Sequence, residues 1–263
     1  MTNMKHYKIF WFLANKGGTG KTTISVSTAV KLVNMGYKVG ILDADISSPS
    51  VPRLLNMENI TAKATIKEVL PCECPKYPNL KIVSMGTHPS LVGNKPVVWR
   101  GERHRDFITQ CIEDVAWGDI DYLIVDFPAG LGDPILAIKK YFKKIDGVVL
   151  ISLPSVVSVK SCEKAIIMAK KLNVPIIGLV SNMSYFVCQH GERHYIFGNG
   201  NVRKLADQYG IRFIGEIPFV PELHYSSGLY YYLDNAIIED IAKAIASTKT
   251  GLLDKIKSTI FGA

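Results

Sequence analysis

The chain has 263 residues, of which 48% are hydrophobic, and a formal net charge of +8. This length fits one large α/β domain, and no apolar run approaches the roughly 20 residues of a membrane span. The 31 basic residues are scattered, which indicates a generally basic surface, and five irregularly spaced cysteines argue against a disulfide framework.

The first predicted strand is the apolar run Ile9–Ala14. Six apolar residues after the basic residues 1–8 are too few for a secretory signal, so we expect a cytoplasmic protein, at most peripheral to a membrane. A run of this length bounded by glycines is typical of a buried parallel strand, and Thr22–Met35 has helical spacing. The segment therefore predicts a strand, a glycine loop and a helix.

The glycine loop reads KGGTGKTT over residues 16–23. Its glycines let backbone N–H groups approach phosphate oxygens at a helix N-terminus, which carries partial positive charge. Lys21 is expected to bridge the β- and γ-phosphates of a nucleotide, and the Thr22 hydroxyl to bind Mg²⁺. The predicted nucleotide-binding residues of the loop are Gly17, Gly18, Thr19, Gly20, Lys21, Thr22 and Thr23.

The loop departs from the general phosphate-loop pattern at its start, where Asn15 replaces a glycine and Lys16 follows. This variant resembles the deviant Walker A motif of the MinD, ParA, nitrogenase iron protein and Mrp-type ATPases. In those families the extra lysine reaches across a dimer interface to the partner's nucleotide. The resemblance implies a homodimer closed by ATP, with Lys16 and Lys21 as catalytic residues.

Two carboxylates follow the second predicted strand, Lys38–Leu42. The carboxyl ends of strands in a doubly wound sheet are where ligands bind. Asp45 could there orient the attacking water as a catalytic residue, and Asp43 could hold Mg²⁺-bound waters. The alternative is a turn rich in Asp, Ser and Pro.

The middle of the chain predicts a short helix at Ile66–Leu70, a strand at Leu80–Met85 and a helix at Trp99–Trp117. Between the first two, Cys72 and Cys74 are flanked by prolines, which favours an exposed turn. This C-x-C pair could ligate a metal or belong to a plain loop.

A further strand, Asp121–Asp126, ends in a carboxylate and is followed by a glycine-containing loop up to Asp133. The arrangement has the shape of a Walker B aspartate with a switch loop. Asp126 is expected to accept hydrogen bonds from Mg²⁺-bound water, and Gly130 could direct its N–H at the γ-phosphate. A helix cap is the alternative role for Asp126.

The rest of the chain continues to alternate strands and helices, which predicts a mostly parallel, doubly wound α/β sheet with helices on both faces. Asn182, after the second strand of this part, could hydrogen-bond an adenine edge or form a simple turn. The predicted elements are strands at Gly147–Leu153, Val174–Val180 and Arg212–Gly215, and helices at Val156–Leu172 and Ala236–Ser247.

Taken together, the motifs look like the ordered signature blocks of the Mrp-type iron–sulfur cluster carrier ATPases. The likeness runs from about residue 8 to about residue 245 and implies the P-loop NTPase fold of MinD, ParA and the nitrogenase iron protein. The blocks are Lys16–Thr23, Asp43–Pro52, Pro96–Gly101, Asp121–Asp133, Asn182–Gly198 and Ile211–Phe219.

This resemblance implies slow ATP hydrolysis and transient holding of a [4Fe–4S] cluster at the dimer interface for transfer to apoprotein clients. The family holds the cluster with a C-x-x-C pair from each subunit, whereas here Cys188 is followed by Gln, His and Gly. Two Cys188 thiolates leave a cubane cluster short of its four ligands. His190 or His194 could complete the set, or two Cys and two His could bind Zn²⁺ across a twofold axis.

Two other functions remain as alternatives. The tail Gly251–Phe261 gathers its apolar residues on one helical side, as in a MinD-like ATPase that binds membrane reversibly. A ParA-like ATPase would use the basic surface to bind DNA, but without a clustered basic stripe nucleic acid is the less favoured partner. We assign residues 1–248 to a single ATPase domain and residues 249–263 to the amphipathic tail.

Overall fold

The computed structural model describes residues 7–46, 48–62, 70–87, 115–142, 144–198, 201–221 and 229–248. The described strands are β1 (Lys8–Leu13), β2 (Val39–Asp43), β3 (Cys72–Cys74), β4 (Tyr77–Val83), β5 (Tyr122–Asp126), β6 (Gly147–Ser152), β7 (Ile176–Ser181), β8 (Phe186–Val187), β9 (Arg193–His194) and β10 (Phe213–Glu216). The described helices are α1 (Lys21–Asn34), α2 (Val51–Leu54), α3 (Asp133–Tyr141), α4 (Val156–Lys171), α5 (Asn201–Tyr209), α6 (Leu229–Leu233) and α7 (Ala236–Ala246).

The main sheet has the spatial order β10-β7-β6-β1-β5-β2-β4-β3. All neighbouring strands in it are parallel except β3, which pairs antiparallel with β4 at the edge. The first strand lies between β5 and β6, so the loop that follows it emerges at the middle of the sheet. Because parallel strands end at one edge, this order brings the loops after β1, β2 and β5 together.

Two hydrophobic cores cover the two faces of the sheet, and β1 contributes to both. Phe10 and Phe12 belong to the core shared with α1 and α7, while Trp11 and Leu13 belong to the core shared with α4 and α5. All four side chains are buried, as expected for a central strand with helices on both sides. The predicted doubly wound fold class is confirmed.

The edge of the sheet differs from the prediction at Cys72 and Cys74. Instead of an exposed turn, the two residues form the ends of strand β3, and both side chains are buried in the core beneath α1. The neighbouring strand β4 runs from Tyr77 to Val83, whereas the sequence predicted Leu80–Met85. It ends before Met85 because Met85–Thr87 forms a 3-10 helix. Buried thiols within a core are poorly placed to serve as a surface ligand pair.

Several predicted elements fall wholly or largely outside the described residues: most of the Ile66–Leu70 and Trp99–Trp117 helices, the Pro96–Gly101 block and the tail 249–263. Residues 115–117, the described end of the second helix, are not helical. Within the described part of the chain, no helix has the length and apolar character needed to span a bilayer.

Candidate nucleotide and metal site

The glycine loop joins β1 to α1, and two of its residues have conformations that favour glycine. The backbone φ is 73° at Gly18 and 78° at Gly20, in the left-handed region where a Cβ is unfavourable. Helix α1 then begins at Lys21, with the Ile24 N–H donating to the Gly20 carbonyl at 3.0 Å. The loop thus delivers its backbone to the N-terminus of a buried 14-residue helix, the arrangement that binds phosphate.

Three side chains of the first helical turns converge on the Asp126 carboxylate at the end of β5. The Lys21 ammonium lies 2.7 Å from Oδ1, the Thr22 hydroxyl donates to Oδ2 at 2.7 Å, and the Ser25 hydroxyl donates to Oδ1 at 2.9 Å. Asp126 is fully buried, so these contacts compensate the desolvation of its charge. The structure therefore brings together the predicted Lys21, Thr22 and Asp126.

Asp43 occupies the equivalent position on the neighbouring strand β2 and is register partner of Asp126. Its Oδ2 accepts from the Ser84 hydroxyl at 2.9 Å and from the Val51 N–H at 3.3 Å. Burial, followed by the nearby charge of Asp126, raises the pKa of Asp43 to about 7. A divalent cation at this edge would relieve the repulsion between the two carboxylates.

The oxygen donors at this point suit magnesium. The Thr22 hydroxyl and the Asp126 carboxylate touch each other, and Asp43 lies on the adjacent strand. Hard oxygen ligands of this kind, with water completing the shell, are what Mg²⁺ prefers. The Thr22 hydroxyl would hold the ion directly, with Asp126 and Asp43 accepting hydrogen bonds from its waters.

Asn182 closes over the glycine loop from the end of β7. Its amide Nδ2 donates to the Thr19 carbonyl at 2.7 Å, and its Oδ1 accepts from the Tyr232 hydroxyl at 3.3 Å. One donor and one acceptor position of the amide remain after these bonds. The Thr19 hydroxyl is itself buried and has no hydrogen-bond partner among the described residues.

The remaining predicted residues surround this group. Lys16 and Gly17 are exposed, Thr23 is half-buried on α1, and the Gly130 N–H donates to the Ala14 carbonyl at 3.3 Å. Asp45 is half-buried, and its Oδ1 accepts from the Ser48 N–H at 3.1 Å. Lys16 is therefore accessible to solvent in the loop beside this group.

Sequence reasoning did not identify Ser25 and Ser84, which bind the two acidic side chains. Ser25 lies four residues after Lys21 and three after Thr22, so helical spacing places all three on one face. This helical spacing could have identified Ser25 from the sequence. Ser84 follows the strand beside β2, and only the strand order brings it to Asp43.

Cys188 lies apart from the nucleotide site, on the exposed hairpin formed by β8 and β9. Its N–H donates to the Glu192 carbonyl at 3.0 Å, and the Gly191 N–H returns to the Cys188 carbonyl at 2.9 Å. Hydrogen bonds from the His194 side chain and then from the His190 backbone lower the pKa of the Cys188 thiol. Of the two histidines proposed from the sequence, His194 is the one whose side chain contacts this sulfur.

The chain matches the family described as ParA: NUBPL iron-transfer P-loop NTPase over residues 5–250. It is similar to an iron–sulfur cluster carrier protein of Methanocaldococcus jannaschii, with 41% identity over 220 residues, 83% of this chain and 74% of that protein. A cytosolic Fe–S cluster assembly factor, the NUBP2 homolog of Dictyostelium discoideum, is 36% identical over 241 residues, 89% of each chain.

Among solved structures, the chain is similar to a nucleotide-binding protein from Archaeoglobus fulgidus described in complex with ADP. The two share 32% identity with a TM-score of 0.70, over 86% of this chain and 88% of the other. The family match over residues 5–250 includes the glycine loop and the sheet edge described above.

Proposed function

The chain belongs to the family of NUBPL iron-transfer P-loop NTPases, and we propose that it is a homodimeric ATPase that carries iron–sulfur clusters to apoprotein clients in the cytoplasm. The observation that carries this function is the convergence of Lys21 and Thr22 on Asp126 behind a phosphate loop. The matched relatives named as cluster carriers favour this function over the MinD-like and ParA-like alternatives.

For ATP, the loop amides between Lys16 and Lys21 would grip the polyphosphate. The Lys21 ammonium, now on Asp126 at 2.7 Å, has a side chain long enough to reach the β- and γ-phosphates instead. Bound Mg²⁺ would neutralise charge that develops on the phosphates. Asp45 would orient the attacking water, so catalysis consists of positioning and charge neutralisation without a covalent intermediate.

Pairing of two chains follows from the extra lysine. Lys16 is exposed and lies next to the phosphate-binding amides of its own loop. In the ATPases that this motif resembles, that lysine completes the partner's nucleotide site. We therefore assign Lys16 to the nucleotide of the second protomer, which makes hydrolysis depend on dimerisation.

The cargo is a [4Fe–4S] cluster that two protomers would share. Cys188 is partly exposed on a surface hairpin, so a cluster held there is open to a client protein. Two Cys188 thiolates supply half of the four ligands that a cubane needs, and His194 from each chain would supply the rest.

Anaerobic reconstitution tests the cargo. Wild-type protein should retain roughly one cluster per dimer, measured by iron and sulfide analysis and by visible absorption. Cys188→Ala should lose it, while Cys162→Ala, which removes a buried thiol of α4 itself, should keep it. Retention by Cys188→Ala, or no iron and sulfide in the wild type, would contradict cluster carriage and leave the ATPase untouched.

The ATPase is tested by two lysine variants. Lys21→Ala should abolish binding of a non-hydrolysable ATP analogue in calorimetry, since it removes the phosphate-binding ammonium. Lys16→Ala should still bind the analogue but should neither dimerise in light scattering nor hydrolyse ATP. Normal hydrolysis by Lys16→Ala would rule out the role assigned to it across the dimer.

A further inference from the structure

The β8–β9 hairpin places three metal-ligating side chains on one face. Phe186 pairs with His194 across the hairpin, and Val187 pairs with Arg193. Beyond them the Cys188 backbone N–H donates a hydrogen bond to the Glu192 carbonyl. Side chains of an antiparallel ladder alternate between faces, so residues two apart share a face. Cys188, Glu192 and His194 are therefore brought to the same side by the register of the hairpin.

The ligand atoms of these three residues already form a cluster. The Cys188 sulfur, a Glu192 carboxylate oxygen and a His194 ring nitrogen all lie within 4.8 Å of one another. His194 Nε2 lies 4.0 Å from Glu192 Oε2. Ligands of a tetrahedral Zn²⁺ ion lie about 3.5 Å apart, given metal bonds of about 2.0–2.3 Å, so closure by about 1 Å would complete the site.

The opposite face of the hairpin carries Arg193. Arg193 stacks on the Tyr185 ring, with its guanidinium carbon 4.4 Å from the ring centroid. This cation lies in the alternate register position and so is directed away from the cluster. The ligand face keeps the negative charges of a thiolate and a carboxylate, which would balance a divalent ion.

We propose that Cys188, Glu192 and His194 of a single protomer form a binding site for one divalent transition-metal ion of the Zn²⁺ type. Sulfur, nitrogen and oxygen donors from three residues are a set that Zn²⁺ and Co²⁺ accept, with a fourth position open to water or to an outside ligand. This site lies on the hairpin used in the proposed function but needs neither ATP nor a second chain. Because the ion and the cluster would share Cys188 and His194, binding of one would exclude the other. The two differ in stoichiometry: one ion per chain against one cluster per dimer.

Cobalt titration of the full-length, metal-free chain tests the site. Co²⁺ should bind at one ion per chain and show a thiolate-to-cobalt charge-transfer band, and added Zn²⁺ should displace it. Cys188→Ser should abolish the band, and His194→Ala and Glu192→Gln should each weaken binding at least about tenfold. His190→Ala is the matched control, since His190 lies in the same turn but outside the cluster, and it should bind like the wild type.

Three results would overturn the proposal: no cobalt band in the wild type, half an ion per chain, or wild-type affinity in His194→Ala. Circular dichroism of each variant separates loss of a ligand from loss of folding. Lys21→Ala should lose ATP binding but bind Co²⁺ like the wild type. A failure of the proposed ATPase function can therefore be distinguished from a failure of the proposed metal site.

Discussion

Asp43 and Asp126 are direct register partners at the carboxyl ends of the neighbouring parallel strands β2 and β5. Both carboxyl groups are buried, yet their surroundings differ. Asp126 receives an ammonium and two hydroxyls, whereas Asp43 receives one hydroxyl and backbone N–H groups. The edge of the sheet therefore holds one compensated and one poorly compensated carboxyl group, an asymmetry that favours binding of a cation.

Asp43 should make the stability of the metal-free protein fall as pH rises. Its folded pKa of about 7 lies above the roughly 3.9 of an unfolded aspartate. A raised pKa means that the folded state holds the proton more tightly, so its contribution is complete below about pH 4 and is lost on approach to pH 7. The slope is at most about 1.4 kcal/mol per pH unit.

The comparison is with Asp43→Asn, which keeps an oxygen acceptor for Ser84 but cannot ionise. Urea unfolding in the presence of EDTA, between pH 4 and pH 8, measures the difference in free energy of unfolding. Wild type should lose stability relative to Asp43→Asn up to about pH 7 and then level off. A difference that stays constant with pH would contradict the raised pKa.

Thr22 and Ser25 should separate catalysis from stability, although both hydroxyls donate to Asp126. Thr22→Ala removes the proposed Mg²⁺ ligand, and we expect kcat for ATP hydrolysis to fall about 100-fold, the size of a lost electrostatic contact. Ser25→Ala leaves that ligand in place and removes a buried hydrogen bond to a charge, costing about 1.5–3 kcal/mol of stability. Steady-state kinetics and thermal unfolding measure the two effects, and equal losses of kcat would contradict the assignment.

Much of the nucleotide site could be predicted because its signals are local. The apolar run before the loop, the glycines and the following Lys21 and Thr22 are contiguous, and Asp126 ends an obvious buried strand. The contacts of Ser84 could not be predicted, since they depend on β4 lying beside β2. For Asn182 the sequence left an adenine contact and a simple turn open. Its bonds to Thr19 and Tyr232 could not be predicted, because only tertiary packing creates them, and they leave one donor and one acceptor position of the amide for adenine.

The fold was predicted best where strands are long and buried on both faces. Strand β3 was missed because prolines at 71 and 75 resemble turn signals, although an edge strand tolerates proline beside it. The hairpin of β8 and β9 has two-residue strands whose side chains are exposed except for the half-buried Phe186, and such strands are too short for any periodic signal. The shared face of Cys188, Glu192 and His194 could therefore be identified only from the pairing register of β8 and β9.

Gly20 should be more sensitive to substitution than Gly18, although both have positive φ. An alanine Cβ at Gly20 would overlap the Asn182 amide, whereas at Gly18 it meets nothing within 4 Å. We expect Gly18→Ala to cost about 1–2 kcal/mol from backbone strain alone. Gly20→Ala should cost more and should also lose nucleotide binding, because Asn182 must leave the loop. Calorimetry and urea unfolding would reveal the difference, and identical behaviour of the two variants would contradict it.

The ion pairs of Glu239 on α7, one of which reaches α1, should stabilise the folded protein at neutral pH but not in acid. Its carboxylate lies 2.7 Å from the Lys243 ammonium and 3.0 Å from that of Lys31, and hydrogen bonds from these lysines lower the pKa of Glu239 to about 2. Because the folded pKa lies below the roughly 4.3 of an unfolded glutamate, the contribution of Glu239 to stability is present above about pH 4.3 and is lost as pH falls toward 2.

Thermal unfolding of Glu239→Gln should therefore give a lower Tm than wild type at neutral pH, and this gap should close between about pH 4.3 and pH 2. Asp240→Asn removes the same formal charge one residue farther along α7 and should keep the wild-type acid dependence of Tm. A gap for Glu239→Gln that persists unchanged at low pH would show that packing, not the ion pairs, accounts for the loss.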